Sequence, residues 1–342
     1  MKRLLLVVCL ITVVVVGFTG CETSFMTAGK VYLQQSNYAN AMEQFKLEIE
    51  NEPNKADGYL WVGKTFAYMQ KYDSSVVYLD KAMVVDKQVT EKDIKTDKGN
   101  WWLYYHNAGV QLVENKDIDM AIKRLKFAIE ITPESISSYN ILGYSYSLKK
   151  DYPNMVNIYE KAIKIDSKDL QAYINLGQYY TNQEKYKKAI EYFESAKKIN
   201  PDMPKAYYYE GVAYSGLNQY DEAIVNYKKA IEIYKKNDDN KAIKDVLFNI
   251  GIVLMRNKNY KEAIPYLLEL LEIDDQDKDA LMNVGTCYIN TKEYKKSLQI
   301  FNKLIEIDPN NAGAYTNRGI AKQKMGDKKG AMKDIKKGMS LQ

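Results

Sequence analysis

Side chains able to do chemistry are few in this sequence and poorly placed to act together. Histidine occurs once, at His106, and cysteine three times, at Cys9, Cys21 and Cys287. General acid–base work needs a titratable partner within hydrogen-bond reach, and neither a cysteine nor an acid stands at a recognisable spacing from His106. Its expected role is structural or groove-lining. One histidine and one free thiol cannot build a transition-metal site, so no metal and no cofactor is expected. The pairs Asp238-Asp239 and Asp274-Asp275 fall at expected helix ends or loops, where solvation accounts for them. The glycines are widely and regularly spaced, so there is no clustered loop to cradle a phosphate. The reading is that of a protein without enzymatic activity. Two kinds of chemistry remain: acylation of Cys21, and hydrogen bonding by regularly spaced amides. Both depend on the elements that carry them.

The chain has 342 residues, 46% hydrophobic and 27% charged, which excludes wholesale disorder and a polytopic membrane protein. Its net charge of +5 is mild, with lysines spread along helices as a solvated face, so nucleic acid is not an expected partner. Thirty tyrosines stand against eight phenylalanines and three tryptophans. The fold asks repeatedly for a ring with a polar tip.

Residues 1–20 read as a signal peptide. Lys2 and Arg3 supply the positive start, and Leu4 to Phe18 is apolar except for Thr12 and Gly17. That run is too short for a comfortable bilayer span, which needs about 20 residues. Phe18-Thr19-Gly20-Cys21 follows. Small residues before a cysteine resemble the lipobox of bacterial lipoproteins, although Phe18 departs from the usual aliphatic residue. The resemblance implies cleavage before Cys21 and lipidation of Cys21. Several acyl chains on one residue give stable membrane attachment. With Cys9 removed and Cys21 acylated, Cys287 has no disulfide partner and is expected to be a small buried apolar residue.

Beyond Cys21 one period governs the chain. Gly29, Gly63, Gly109, Gly143, Gly177, Gly211, Gly251, Gly285 and Gly319 are separated by 34 residues in six of eight gaps, and by 34 plus an insertion in the other two. Nine residues after the glycine comes Tyr38, Tyr72, Ile118, Tyr152, Tyr186, Tyr220, Tyr260 or Tyr294. Sixteen after it comes a large apolar residue such as Phe45, Leu79, Tyr159, Phe193 or Phe301. Twelve after it the residue is mostly alanine, and prolines at Pro53, Pro133, Pro201 and Pro309 close four units. Pro265 falls early in a second helix, where a missing N–H is tolerated. This pattern resembles the tetratricopeptide repeat family over residues 22–342. The resemblance implies an all-α fold, a right-handed superhelical solenoid of about nine helix-turn-helix repeats over residues 21–342. The units are 22–55, 56–89, 102–135, 136–169, 170–203, 204–237, 244–277, 278–311 and 312–342. In the last unit Lys322 and Lys328 replace rings, which reads as a polar cap on a terminal repeat.

Insertions at 90–101 and 238–243 are expected to lengthen a turn, or in the second case a helix end. Trp101 closes the first insertion and is a candidate loop contact, since an exposed tryptophan is a common interface anchor. First helices of such repeats line the concave side of the stack. Residues two before the repeat glycine then face the groove, including Trp61, Asn107, Asn175, Tyr209, Asn249, Asn283 and Asn317. In related proteins an asparagine there can hold an extended peptide, because its amide both donates and accepts. Residues one turn along, such as Lys30, Lys64, Val110 and Ile252, are mixed and largely uncharged, which suits segments with apolar side chains.

The expectation is a lipid-anchored scaffold of the bacterial cell envelope, on the periplasmic side of either membrane or at the cell surface. It would bind a protein or peptide segment in its groove and assist assembly or recruitment. A structural spacer, or an accessory subunit of an envelope enzyme or secretion complex, is the alternative.

Overall fold

This computed structural model describes residues 22–341. The leader, with Cys9, and the lipidation candidate Cys21 lie outside the described residues. Among the described residues there are nineteen α-helices and no strand.

The chain divides into two compact units within one helix, at Met155 and Val156. The first unit holds α1 (Ser24–Gln34), α2 (Tyr38–Asn51), α3 (Ala56–Tyr68), α4 (Tyr72–Val85), α5 (Lys87–Thr96), α6 (Lys98–Glu114), α7 (Ile118–Ile131) and α8 (Ile136–Leu148). The boundary falls in α9 (Tyr152–Ile165). The second unit continues with α10 (Leu170–Asn182), α11 (Tyr186–Ile199), α12 (Pro204–Gly216), α13 (Tyr220–Lys236), α14 (Asn240–Arg256), α15 (Tyr260–Ile273), α16 (Lys278–Asn290), α17 (Tyr294–Ile307), α18 (Ala312–Lys324) and α19 (Lys328–Ser340). Apart from α5, the helices alternate as first and second members of hairpins, and successive hairpins stack within each unit.

Repeat glycines and the large residues sixteen further on are two halves of one contact. A Cβ placed on Gly63 would stand 2.8 Å from Leu79 Cδ2, and one on Gly177 would overlap the Phe193 ring. The first helix lacks a side chain so that the second can insert one. Phe45, Leu79, Leu125, Phe193 and Phe301 are accordingly fully buried. Each such side chain contributes about 1.5–3 kcal/mol by leaving water. Tyrosines take buried places as their amphipathic shape allows: Tyr227 packs on Gly211 within its hairpin, and Tyr104, Tyr105, Tyr180 and Tyr288 are buried as well.

Eight of the nine turns inside hairpins place a non-glycine residue in the left-handed region: Ser36, Gln70, Lys116, Lys150, Glu184, Asn218, Lys258 and Lys292, with φ between 57° and 65°. The ninth uses Gly326. That conformation costs roughly 1–2 kcal/mol for an L-residue. It is offset by a bond that closes the first helix. The N–H after each such residue reaches back five positions, as from Lys71 to the Phe66 carbonyl and from Asp117 to the Leu112 carbonyl, both at 2.9 Å. Pro265 lies further into its helix than expected. It is the sixth residue of α15, beyond the first turn, and removes one rung of that helix's ladder.

The first insertion is not a longer turn. Residues 87–96 form α5, begun by the Asp86 side chain accepting from the Val89 N–H, and α6 starts at Lys98. Trp101 therefore sits inside α6 and is completely buried, so it is not a surface anchor. Its Nε1–H donates to Asp93 Oδ2 of α5 at 2.7 Å, and Lys64 Nζ of α3 donates to Asp93 Oδ1 at 2.8 Å. One carboxylate thus ties three helices together. The second insertion extends helix ends: α13 and α14 each run to 17 residues.

Candidate functional site

Asn175, Tyr209, Asn249, Asn283 and Asn317 all lie on first helices of the second unit and are half-buried. Two of the amides are held by tyrosine hydroxyls. Asn249 Nδ2 donates to Tyr208 Oη at 3.0 Å, and Asn175 Nδ2 donates to Tyr159 Oη at 2.7 Å. Asn175 Oδ1 also accepts from Gln171 Nε2 at 2.9 Å, which occupies both ends of that amide. Asn249 Oδ1 takes no hydrogen bond among the described residues. Asn317 Nδ2 points at Met282 Sδ at 3.3 Å, a weak acceptor.

Two cavities lie side by side in the second unit, and Asn249 lines the first of them. One of about 300 Å³ is lined by Tyr208, Lys244, Asp245, Phe248, Asn249, Leu270, Asp277 and Asp279. The other, of about 370 Å³, is lined by Lys205, Tyr208, Tyr209, Tyr234, Asp239, Lys241, Ala242, Asp245 and Val246. Tyr208 and Asp245 line both, so the two cavities are neighbours, walled mostly by the first helices α12, α14 and α16 with Tyr234 and Leu270 from second helices. Tyr209 stacks on Phe193, with ring centroids 6.0 Å apart, and meets Tyr208 edge-on at 4.9 Å. Burial pushes the Tyr208 hydroxyl up from its ordinary pKa, so it stays protonated while it accepts from Asn249.

The lining is more charged than the rows of the sequence suggested. Lys244 Nζ is held by Asp274 at 2.8 Å and Asp277 at 3.3 Å. Asp245 and Asp279 are exposed and in no ion pair among the described residues. These acids lie outside the row two before the repeat glycine that the repeat pattern places in the groove. Lys205, Asp245 and Asp279 stand one helical turn earlier, four residues before Tyr209, Asn249 and Asn283, and i,i+4 neighbours share a helix face. The signal that finds them is that spacing.

Trp61 and Asn107 lie in the first unit, on α3 and α6. Trp61 stacks on Phe45 at 5.6 Å, with Lys30 Nζ 5.0 Å and Lys64 Nζ 5.3 Å from its ring. It borders a cavity of about 410 Å³ with Lys30, Leu33, Gln34, Tyr38 and Tyr68. Asn107 is half-buried and lines neither cavity of the second unit. Next to it, His106 Nδ1 is 3.0 Å from Ser138 Oγ, and its ring stacks on Trp102. Cys287 is fully buried, and burial pushes its thiol up to about 12. Among the described residues no cluster of three or more His, Cys, Asp or Glu is placed to hold a metal ion. No described helix is long and apolar enough to cross a membrane.

Sequence profiles of known families decide the identity of the fold. The tetratricopeptide repeat profile matches residues 202–276 and again 254–322, and a profile described as anaphase-promoting complex, cyclosome, subunit 3 matches residues 148–230. This chain is a tetratricopeptide repeat protein. Solved repeat proteins share its fold. The C-terminal part of a TPR repeat-containing protein from Cytophaga hutchinsonii is 18% identical, covers 76% of this chain and 99% of its own, and gives a TM-score of 0.57. A tetratricopeptide repeat protein from Parabacteroides merdae is 20% identical, covers 71% of this chain and 94% of its own, and gives a TM-score of 0.51. The pilF protein of Pseudomonas aeruginosa is 16% identical, covers 64% of this chain and 96% of its own, and also gives a TM-score of 0.51. Among curated proteins no sequence matches. In the repeat protein's own terms, the two neighbouring cavities are lined mostly by the first helices of its sixth, seventh and eighth hairpins.

Proposed function

We propose that this tetratricopeptide repeat protein is a membrane-tethered scaffold that holds an extended segment of a protein partner against the first helices of its second unit. The observation that carries this reading is the pair of neighbouring cavities that share Tyr208 and Asp245. The first is lined by the Asn249 amide, whose carbonyl takes no hydrogen bond among the described residues, with Tyr208, Asp245 and Asp279, and the second by Tyr208, Tyr209 and Asp245. An amide carbonyl can accept from a peptide N–H, and the rings of Tyr208 and Tyr209 supply apolar contact. Asp245 and Asp279 favour a segment that brings a lysine or arginine side chain. The groove thus suits a cation-bearing extended peptide better than a purely apolar one. The tether is Cys21: cleavage before it and acylation would place the protein in the cell envelope, where it would assist assembly or recruitment.

Changing Asn175, Asn249, Asn283 and Asn317 together to Ala tests the groove. Crosslinking and pull-down of the lipidated protein from its own envelope should lose the partner recovered with the unchanged protein. Recovery of the same partner would move the contact elsewhere. Metabolic labelling with an alkyne fatty acid tests the tether: label is expected on the wild type and absent from Cys21→Ser. Equal labelling of both would remove the anchor from the proposal.

A further inference from the structure

The first helices α12, α14 and α16 each carry a charged residue at the same place, four before Tyr209, Asn249 and Asn283: Lys205, Asp245 and Asp279. Charge therefore changes sign along this row. Equivalent residues of stacked hairpins follow one another along the stack, so the change runs along the groove and not around one helix. The cavities carry the same change. Lys205 and Lys241 line the larger one, Asp279 lines the smaller, and Asp245 lines both.

The neighbouring charges are already answered. Lys244 is held by Asp274 and Asp277. Lys278, the first residue of α16, lies 3.1 Å from Asp308. The Asp277 side chain also accepts from the Ala280 N–H at 2.9 Å, and that of Asp239 from the Ala242 N–H at 3.0 Å, each closing a helix N-terminus. Lys205, Lys241, Asp245 and Asp279 are exposed and in no ion pair among the described residues.

The two lysines are also poorly placed for the helices that carry them. Each is the second residue of its helix, α12 or α14, where unpaired backbone N–H groups leave a partial positive charge. α12 has neither an acidic cap nor an acid in its first turn; α14 has only its cap, Asp239. A cation at this end weakens the helix, so the fold's own packing does not call for it. An incoming carboxylate would meet two ammonium groups beside two helix N-termini. An incoming ammonium would meet Asp245 and Asp279. The bond from Asn249 to Tyr208 makes α14 and α12 neighbours. Packed helices stand about 8–10 Å apart and an extended chain rises about 3.3 Å per residue, so about three residues carry a segment from one first helix to the next.

We propose that the segment held in the groove bears both charges, with an acidic side chain at Lys205 and Lys241 and a basic one, about three to six residues away, at Asp245 and Asp279. This inference rests on the groove reading above and adds the order of charge to it.

The test uses the full chain, isothermal titration calorimetry and synthetic nonapeptides. The mixed peptide has two glutamates at one end, two lysines at the other, and alanine and tyrosine between; it is made in both chain orders. Each control has glutamines in place of the glutamates. At about 50 mM salt one order should bind at least about tenfold more tightly than its control, and the ratio should shrink at about 300 mM. Lys205→Gln with Lys241→Gln should bring that ratio below about twofold without weakening the control. Asp245→Asn with Asp279→Asn should weaken both peptides. All four residues are exposed, so the variants should melt close to the unchanged protein. Equal affinity of mixed and control peptides for the unchanged protein, or a preference that survives in the lysine variant, would overturn the charge order and leave the groove standing. Failure of every peptide to bind would also overturn it, with the four-asparagine variant reporting on the groove separately. Dimerisation of the unchanged protein, seen by sedimentation and abolished in the aspartate variant, would make the occupant a second copy and overturn the proposal.

Discussion

Burial holds the His106 imidazole below its ordinary pKa, and its neighbours are Ser138 and the flat face of Trp102. Neither offers a charge to stabilise an imidazolium, so the folded protein prefers the neutral ring. In the unfolded chain the ring titrates near 6.5. As pH falls through that value the unfolded state takes up a proton that the folded state resists, so stability is full above it and declines below it. Urea unfolding should therefore give a lower midpoint at pH 5.5 than at pH 7.5, and His106→Gln should shrink that difference. An identical difference in the variant would mean that other groups carry it. The sequence identified His106 as lacking a catalytic partner, but not its burial, which depends on α8 bringing Ser138 to it. Tyrosines behave in the same two-sided way. Tyr227 fills space, whereas the Tyr105 hydroxyl donates to Asp80 Oδ1 at 2.6 Å while Arg124 pairs with the other oxygen of that carboxylate. Their number was legible as a demand for rings with polar tips; which hydroxyl meets which carboxylate was not.

At the scale of elements, α5 is the clearest addition to the repeat. Helices announce themselves in sequence by an apolar stripe, and α5 buries a single residue, Thr90. Lacking a stripe, it reads as a polar loop. What holds it is Asp93, bonded to Trp101 and Lys64 on two other helices. Trp101→Ala is expected to cost about 3–5 kcal/mol in urea unfolding, as for other large buried aromatics. Trp101→Phe, which keeps most of the packing and loses the Nε1–H donor, should cost about 1–3 kcal/mol. A surface anchor would show neither loss. The left-handed turn residues were hidden for a related reason. Nothing in Lys116 or Glu184 favours that backbone, and the turn is imposed by the two helices it joins and the bond that closes them.

Across the whole molecule, stability is shared among neighbours and no single centre dominates, because each hairpin buries its faces mainly on those beside it. Phe193→Ala should therefore act locally. Hydrogen exchange is expected to speed up in α10 to α13 and stay unchanged in α1 to α4. Uniform acceleration through both units would show a single cooperative core. The period, the nine hairpins and the pairing of glycine with a large apolar residue could all be read in advance, because a repeated contact leaves the same residue at the same interval each time. Of the residues two before the glycine, Tyr209 and Asn249 line the two cavities of the second unit, whereas Asn175, Asn283 and Asn317 line neither. Asp245 and Asp279 share that helix face by spacing, but that no cation pairs with them came only from the tertiary structure. A residue's spacing shows which face of its helix it occupies. Whether a neighbouring helix covers that face, answers its charge or leaves it open to a partner depends on how the hairpins are packed.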